Sequence, residues 1–229
     1  MKLFTIGLLF SALAYGETQV YMGEASKDGK KVYLEKHTVE LNGTKVVSSV
    51  TEYTDLSGKV LGVLKNDYTK SVNAPEHEMN DPVHKNSHGV RYQDEKLVMF
   101  NKDAESKEET EVLEKKDTKG KLVVGGQGLH YYLTGNMEEI IQKGKLDLKF
   151  LIPGRLDAYN FYLKVVKKDE ETVHFDIEID NWFLKLFAPK LKLIYSRKNP
   201  RLIRYSGLSN ITDSKKEMMN VEIEYKYNN

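Results

Sequence analysis

The sequence predicts a mainly β fold: a curved antiparallel sheet, half-barrel-like and arranged as a meander, covered by a short helical segment. Three observations point there. Consecutive segments alternate apolar and charged residues with a period of two. Short polar links join those segments, as hairpins require. One stretch, between Gly125 and Gly144, switches instead to apolar spacings of three and four.

The second half shows the alternation most clearly. Residues 145–152 place Leu146, Leu148, Phe150 and Ile152 on one face, with Lys145, Asp147 and Lys149 on the other. Tyr159, Phe161, Leu163 and Val165 repeat the pattern. Val173, Phe175, Ile177 and Ile179 repeat it again, with His174, Asp176, Glu178 and Asp180 facing away. The polar run 167–171 is the turn between those two strands. The series continues through 191–195, 201–205 and the final alternation of Val221, Ile223, Tyr225 and Tyr227.

The first half reads as strands at 32–41 and 44–53 around an Asn42-Gly43 turn, of the kind that suits a tight hairpin. A further strand spans 60–68 after the Ser57-Gly58 turn. Beyond a long loop, Val90 to Gln93 and Leu97 to Phe100 pair across Asp94-Glu95. Residues 101–121 are almost all charged or polar and read as a solvated hairpin tip or loop. In the helical stretch, Leu129, Tyr132, Leu133, Met137, Ile140 and Ile141 form the apolar stripe. Gly135 breaks it, Asn136 caps the second piece and Gly144 ends it. Such a stripe must cover one face of the sheet.

The 229 residues, 40% hydrophobic and 30% charged, suffice for one sizeable core. Thirty-five Lys and Arg balance 34 Asp and Glu, so the chain lacks the basic excess with which a nucleic-acid binder neutralises phosphates. With no cysteine, disulfides, thiolate metal sites and cysteine nucleophiles are excluded. Met1-Lys2, the apolar run 3–13 and the small-residue sites Ala12-Leu13-Ala14 and Ala14-Tyr15-Gly16 read as a secretory signal peptide. The domain reading is therefore a signal peptide at 1–16, then one curved β-sheet domain at 17–229 with a helical insert at 128–143. The expected location is periplasmic or otherwise exported. No later segment has the roughly 18 consecutive apolar residues of a spanning helix. The dense Lys, Asp and Glu of the alternating strands, without regular aromatic girdles, favour a soluble β-protein over an outer-membrane barrel.

The residues Gly128-Leu129-His130-Tyr131-Tyr132, Asn136, the run from Phe150 through Ile152-Pro153-Gly154-Arg155 to Phe161, and Tyr205-Ser206-Gly207-Leu208-Ser209-Asn210-Ile211 resemble an exported bacterial family of unknown function. The likeness covers roughly the last hundred residues. His130 stands where the family pattern has an acidic residue, and Met137 where it has Trp. The resemblance implies a shape akin to the curved half-barrels of periplasmic lipoprotein carriers, a likeness of fold rather than of function. It brings no catalytic residues.

Among candidate chemistries, residues 76–88 gather His77, His84 and His88 beside carboxylates, a ligand set suited to a first-row metal. Their spacing matches no metal motif, and Pro82 excludes a continuous helix through them, so a solvated loop is the simpler reading. There is no Gly-x-Ser-x-Gly elbow and no His-Glu-x-x-His helix. Gly125-Gly126-Gln127-Gly128 lacks the Lys of a phosphate loop, and its glycines are read as serving a turn. No cofactor and no catalytic residue is expected.

The binding reading rests on aromatic and aliphatic stock facing the sheet interior: Phe150, Phe161, Phe175, Trp182 and Tyr195, with Leu129 and Ile140 from the helical cover. A filled interior makes these residues core; a partly open one makes them a groove for an apolar, acyl-bearing ligand or a lipid-bearing partner. Three functions follow from the sequence. They are a carrier of an apolar ligand, a structural or interaction protein of the envelope, and a metal-dependent hydrolase using the 76–88 segment.

Overall fold

The computed structural model describes residues 16–114, 118, 120–181 and 190–227. Eight strands occupy the first half: β1 (Glu17–Lys27), β2 (Lys30–Asn42), β3 (Lys45–Thr54), β4 (Val60–Asp67), β5 (Glu76–Asp81), β6 (Asn86–Gln93), β7 (Lys96–Lys102) and β8 (Glu109–Leu113). The short β9 (Leu122–Val124) leads to helices α1 (Gly128–Gly135) and α2 (Met137–Lys143). Six strands follow: β10 (Lys145–Ile152), β11 (Asp157–Lys168), β12 (Thr172–Ile179), β13 (Leu191–Ser196), β14 (Arg201–Thr212) and β15 (Met218–Tyr227).

Among the described residues these fifteen strands form one sheet, ordered β8 to β1, then β15 down to β9. Two meanders thus run outward from a central antiparallel pair, β1 and β15, with Gly23 opposite Tyr225. The expected antiparallel meander holds everywhere except at the last pairing, where β9 lies parallel to β10.

Chain connectivity forces the sheet to curl. Laid flat at about 4.8 Å per strand, β8 and β9 would stand roughly 67 Å apart. The nine steps from Leu113 to Leu122 reach at most about 32 Å. The ends accordingly meet through side chains: Leu151 packs with Ala74, Val90 and Met99, and Leu113, Val123, Leu156 and Ala158 surround them. Asn101 also donates from Nδ2 to the Gly154 carbonyl at 3.4 Å. Register shifts at Ala25/Ser26, Val165/Lys167 and Ile194/Tyr195 add the local twist that curling needs.

The helical pair covers the concave face of the second half. Leu129 and Leu133 of α1 and Met137, Ile140 and Ile141 of α2 pack on Leu148, Leu163, Val173, Phe175, Ile177, Leu193 and Tyr195. Gly144 ends α2 in the left-handed region at φ 72°, as the sequence suggests. Asn136 departs from expectation: its Nδ2 donates to the Tyr132 carbonyl at 2.9 Å, closing the end of α1 rather than capping the start of α2. Among the described residues no helix is long and apolar enough to cross a membrane.

Three segments differ from their sequence reading. β1 was not expected. Its inward positions after Tyr21 are the small residues Gly23 and Ala25, which give no apolar alternation. The segment 76–88, read as a loop, is a hairpin of β5 and β6 in which polar inward residues conceal the period of two. The polar stretch 101–121 contains β8, an edge strand whose Glu109 and Glu111 are exposed.

Candidate functional site

The two halves of the interior differ in chemistry. The buried polar and charged residues among those described are Glu35, His37, Ser49, Thr51, Asn66, His77 and Ser209. All but Ser209 lie on β2 to β5. On β2 the alternation that buries Tyr33 and Val39 also carries Glu35 and His37 inward, each only 4% exposed. β3 presents Ser49, Thr51 and Tyr53 beside them. The opposite wall, from β12 to β14 and α1, is mainly aliphatic and aromatic, with His130, Ser209 and Asn210 as its polar members.

Between the walls lies a cavity of about 200 Å³. Leu129, Phe150, Ile177, Leu191, Leu193 and Leu202 form its apolar side; Tyr33, Glu35, His37, Tyr53, Gln127 and Tyr225 form its polar side. Gln127 is delivered by the turn preceding α1. At Gly126, φ is +51° and a Cβ would fall 2.4 Å from Asn66 Oδ1; at Gly128 a Cβ would fall 1.9 Å from the Asn73 carbonyl oxygen. Only glycine lets the turn seat that deeply against the first half of the sheet.

A directed hydrogen-bond chain results. Asn66 Nδ2 donates to Ser49 Oγ at 3.2 Å, and Ser49 Oγ donates to Gln127 Oε1 at 3.0 Å. Gln127 Nε2 donates to Thr51 Oγ1 at 2.8 Å and faces His37 Nδ1 at 3.3 Å. His37 Nδ1 also meets Thr51 Oγ1 at 2.9 Å. On its other side, His37 Nε2 donates to Glu35 Oε2 at 2.9 Å, since a carboxylate only accepts. Tyr225 donates to the same oxygen at 3.1 Å, and Tyr33 reaches Oε1 at 3.4 Å. Tyr21 stacks on His37, ring centroids 4.3 Å apart and 5° from parallel.

Burial first, and the Glu35 carboxylate second, raise the phenols of Tyr33, Tyr53, Tyr205 and Tyr225 well above the usual tyrosine range. They stay protonated and act as hydroxyl donors. Ser209 meets Tyr33 at 2.9 Å, and Asn210 donates to Tyr53 at 2.9 Å, so the phenols are fixed from β14 as well. On the helical side, His130 Nδ1 meets Tyr195 OH at 3.1 Å, and burial pushes this imidazole down to about 4.

Of the residues expected to bind a ligand, Leu129, Phe150 and Tyr195 line the cavity. Phe175 and Ile140 lie in the packed core beside the helices. Phe161 packs edge-on against Phe150, centroids 5.8 Å apart, outside the lining. Trp182 lies outside the described residues. The candidate metal ligands are not gathered into a common centre. His77 is buried with Nδ1 at the Pro75 carbonyl, 3.1 Å away, and His84 bonds Asp81 at 2.8 Å. His88 sits opposite Met79 on β6. Among the described residues no group of three or more His, Asp or Glu is placed to hold a metal ion.

Glu35, His37 and Gln127 escaped the sequence reading. The available signal was the run Tyr33-Leu34-Glu35-Lys36-His37-Thr38-Val39, whose period of two puts Glu35 and His37 on the face of Tyr33 and Val39.

No family model matches the sequence. No curated protein matches it. A crystal structure of a β-barrel-like protein, a domain of unknown function from Brucella abortus, is similar at a TM-score of 0.42 and 12% identity, covering 93% of this chain and 97% of that one.

Proposed function

We propose that this chain is an exported envelope protein that binds an apolar, acyl-type ligand with a polar end, and that it acts by binding rather than by catalysis. The observation that carries this reading is the two-sided cavity, aliphatic along β12 to β14 and hydrogen-bonding along β2 and β3. An apolar chain gains by leaving water on one side, and its polar end finds fixed partners on the other. A 150 Å³ cavity holds a benzene, so about 200 Å³ suits roughly eight non-hydrogen atoms. That volume fits one short chain segment and argues against enclosure of a multi-acyl lipid.

Export rests on the charged start, apolar run and small-residue sites at the N-terminus. The binding reading is tested by native mass spectrometry of the protein purified from its host, together with 1-hexanol titration followed by calorimetry and thermal unfolding. A co-purifying small molecule and a raised melting temperature are expected. Absence of both would remove the binding reading. Amino-terminal sequencing of the purified chain tests export separately: the mature protein should begin near residue 15 or 17, and intact Met1 on cytoplasmic protein would exclude it.

A further inference from the structure

We infer that the polar end of the ligand is a cation, so that the cavity selects an aliphatic or aromatic ammonium group. This rests on the proposal that the cavity binds an apolar chain, and adds the identity of the head group.

Glu35 is the one carboxylate in the cavity lining among the described residues, and the lining contains neither Lys nor Arg. Its Oε2 is well occupied by His37 and Tyr225, at 2.9 and 3.1 Å. Oε1 has, among the described residues, only the long 3.4 Å contact from Tyr33. An ionised carboxylate accepts at about four lone-pair sites, which leaves acceptor capacity on Oε1 for a donor arriving in the cavity. The hydrogen-bond chain from Gln127 through Thr51 and His37 runs to the other oxygen of this carboxylate and leaves Oε1 open. A 4% exposed carboxylate with an open oxygen, in a lining without Lys or Arg, is completed by a cationic donor.

The surrounding walls suit the same group. Tyr33, Tyr53, Tyr205 and Tyr225 line the cavity with Glu35 and surround the carboxylate with aromatic rings, an environment that suits an ammonium. Gly23 is part of the arrangement, since a Cβ there would fall 2.9 Å from the Tyr225 ring and 3.1 Å from Glu35 Oε2. A fatty-acid carboxylate, in contrast, would bring a second negative charge against Glu35, with no Lys or Arg in the lining to separate them.

The test compares three probes of one chain length, hexylammonium, 1-hexanol and hexanoate, by titration calorimetry and thermal shift on the purified wild-type protein. Hexylammonium should bind at least tenfold more tightly than hexanol, and hexanoate most weakly. In Glu35→Gln the preference for hexylammonium over hexanol should vanish. The wild-type series decides the assignment even where Glu35→Gln fails to fold. Hexanol binding as tightly as hexylammonium, or hexanoate binding more tightly, overturns the cationic head group and leaves the apolar cavity standing. Binding by none of the three overturns both.

Discussion

Gln127 and Thr51 meet across the interior at 2.8 Å, although 76 residues separate them, and their contact ties the lead of α1 to the opposite half of the sheet. The same amide side chain accepts from Ser49 and faces His37. Gln127→Ala leaves three buried polar groups short of a partner at once. The expected loss is about 1–3 kcal/mol of unfolding free energy, because a buried group stripped of its partner bears its desolvation cost. Urea denaturation at neutral pH measures it; a loss below about 0.5 kcal/mol, the scale of an ordinary surface change, would show that water replaces the amide freely.

The core of the second half should respond in graded fashion. Phe175 is fully buried among Leu163, Val173 and Tyr195, whereas Phe161 is only half-buried. Phe175→Ala should cost about 3–5 kcal/mol, and Phe161→Ala clearly less. Asp176→Asn, on the outer face of β12, should stay within about 0.5 kcal/mol of wild type. Equal melting behaviour of the three variants would contradict the register of β12 against β11 and β13.

The strands legible in the sequence are those with one apolar and one charged face. In β12, Val173, Phe175, Ile177 and Ile179 are all buried, as their alternation with His174, Asp176 and Glu178 implies. The α1 and α2 stripes were legible for the same reason at helical spacing. The rest was hidden where burial and polarity part company. Gly23 and Ala25 make β1 look like a link. Glu35 and His37 share a face with Tyr33 and Val39, but their polarity argues against burial until their hydrogen-bond partners, 14 or more residues away on β3, β15 and the α1 turn, are in place. Long-range partners of that kind have no local signature, so the aromatic half of the cavity was readable and the polar half was not.

Acid should destabilise the fold through its buried imidazoles. Burial lowers His77 to about 4 from an ordinary 6.5, and lowers His130 to about 4 as well. Each group binds its proton more readily in the unfolded chain. Its contribution is therefore complete above pH 6.5, declines as pH falls from there toward 4, and is lost below 4. Each shift corresponds to roughly 3 kcal/mol. Urea midpoints measured from pH 7 down to 4.5 should fall steeply, and His130→Gln should flatten the curve. A midpoint independent of pH over that window would mean that both rings reach solvent.

The last prediction concerns the cavity wall. Phe150 stands on β10 with its ring on the apolar side, braced edge-on by Phe161 and only partly buried itself. Removing the ring enlarges the space without breaking any hydrogen bond of the Glu35 and His37 chain, so the polar end of the cavity keeps its geometry. Phe150→Ala should cost less than the roughly 3–5 kcal/mol of a fully buried phenylalanine. Its effect on binding should be selective: affinity for 1-hexanol should fall as chain contacts are lost, and the preferred alcohol should shift toward a longer chain that refills the space. Calorimetric titration with alcohols of increasing length, on wild type and variant, measures both quantities. An unchanged length optimum would place the bound chain away from Phe150 and shift the apolar side of the site to Leu191 and Leu202.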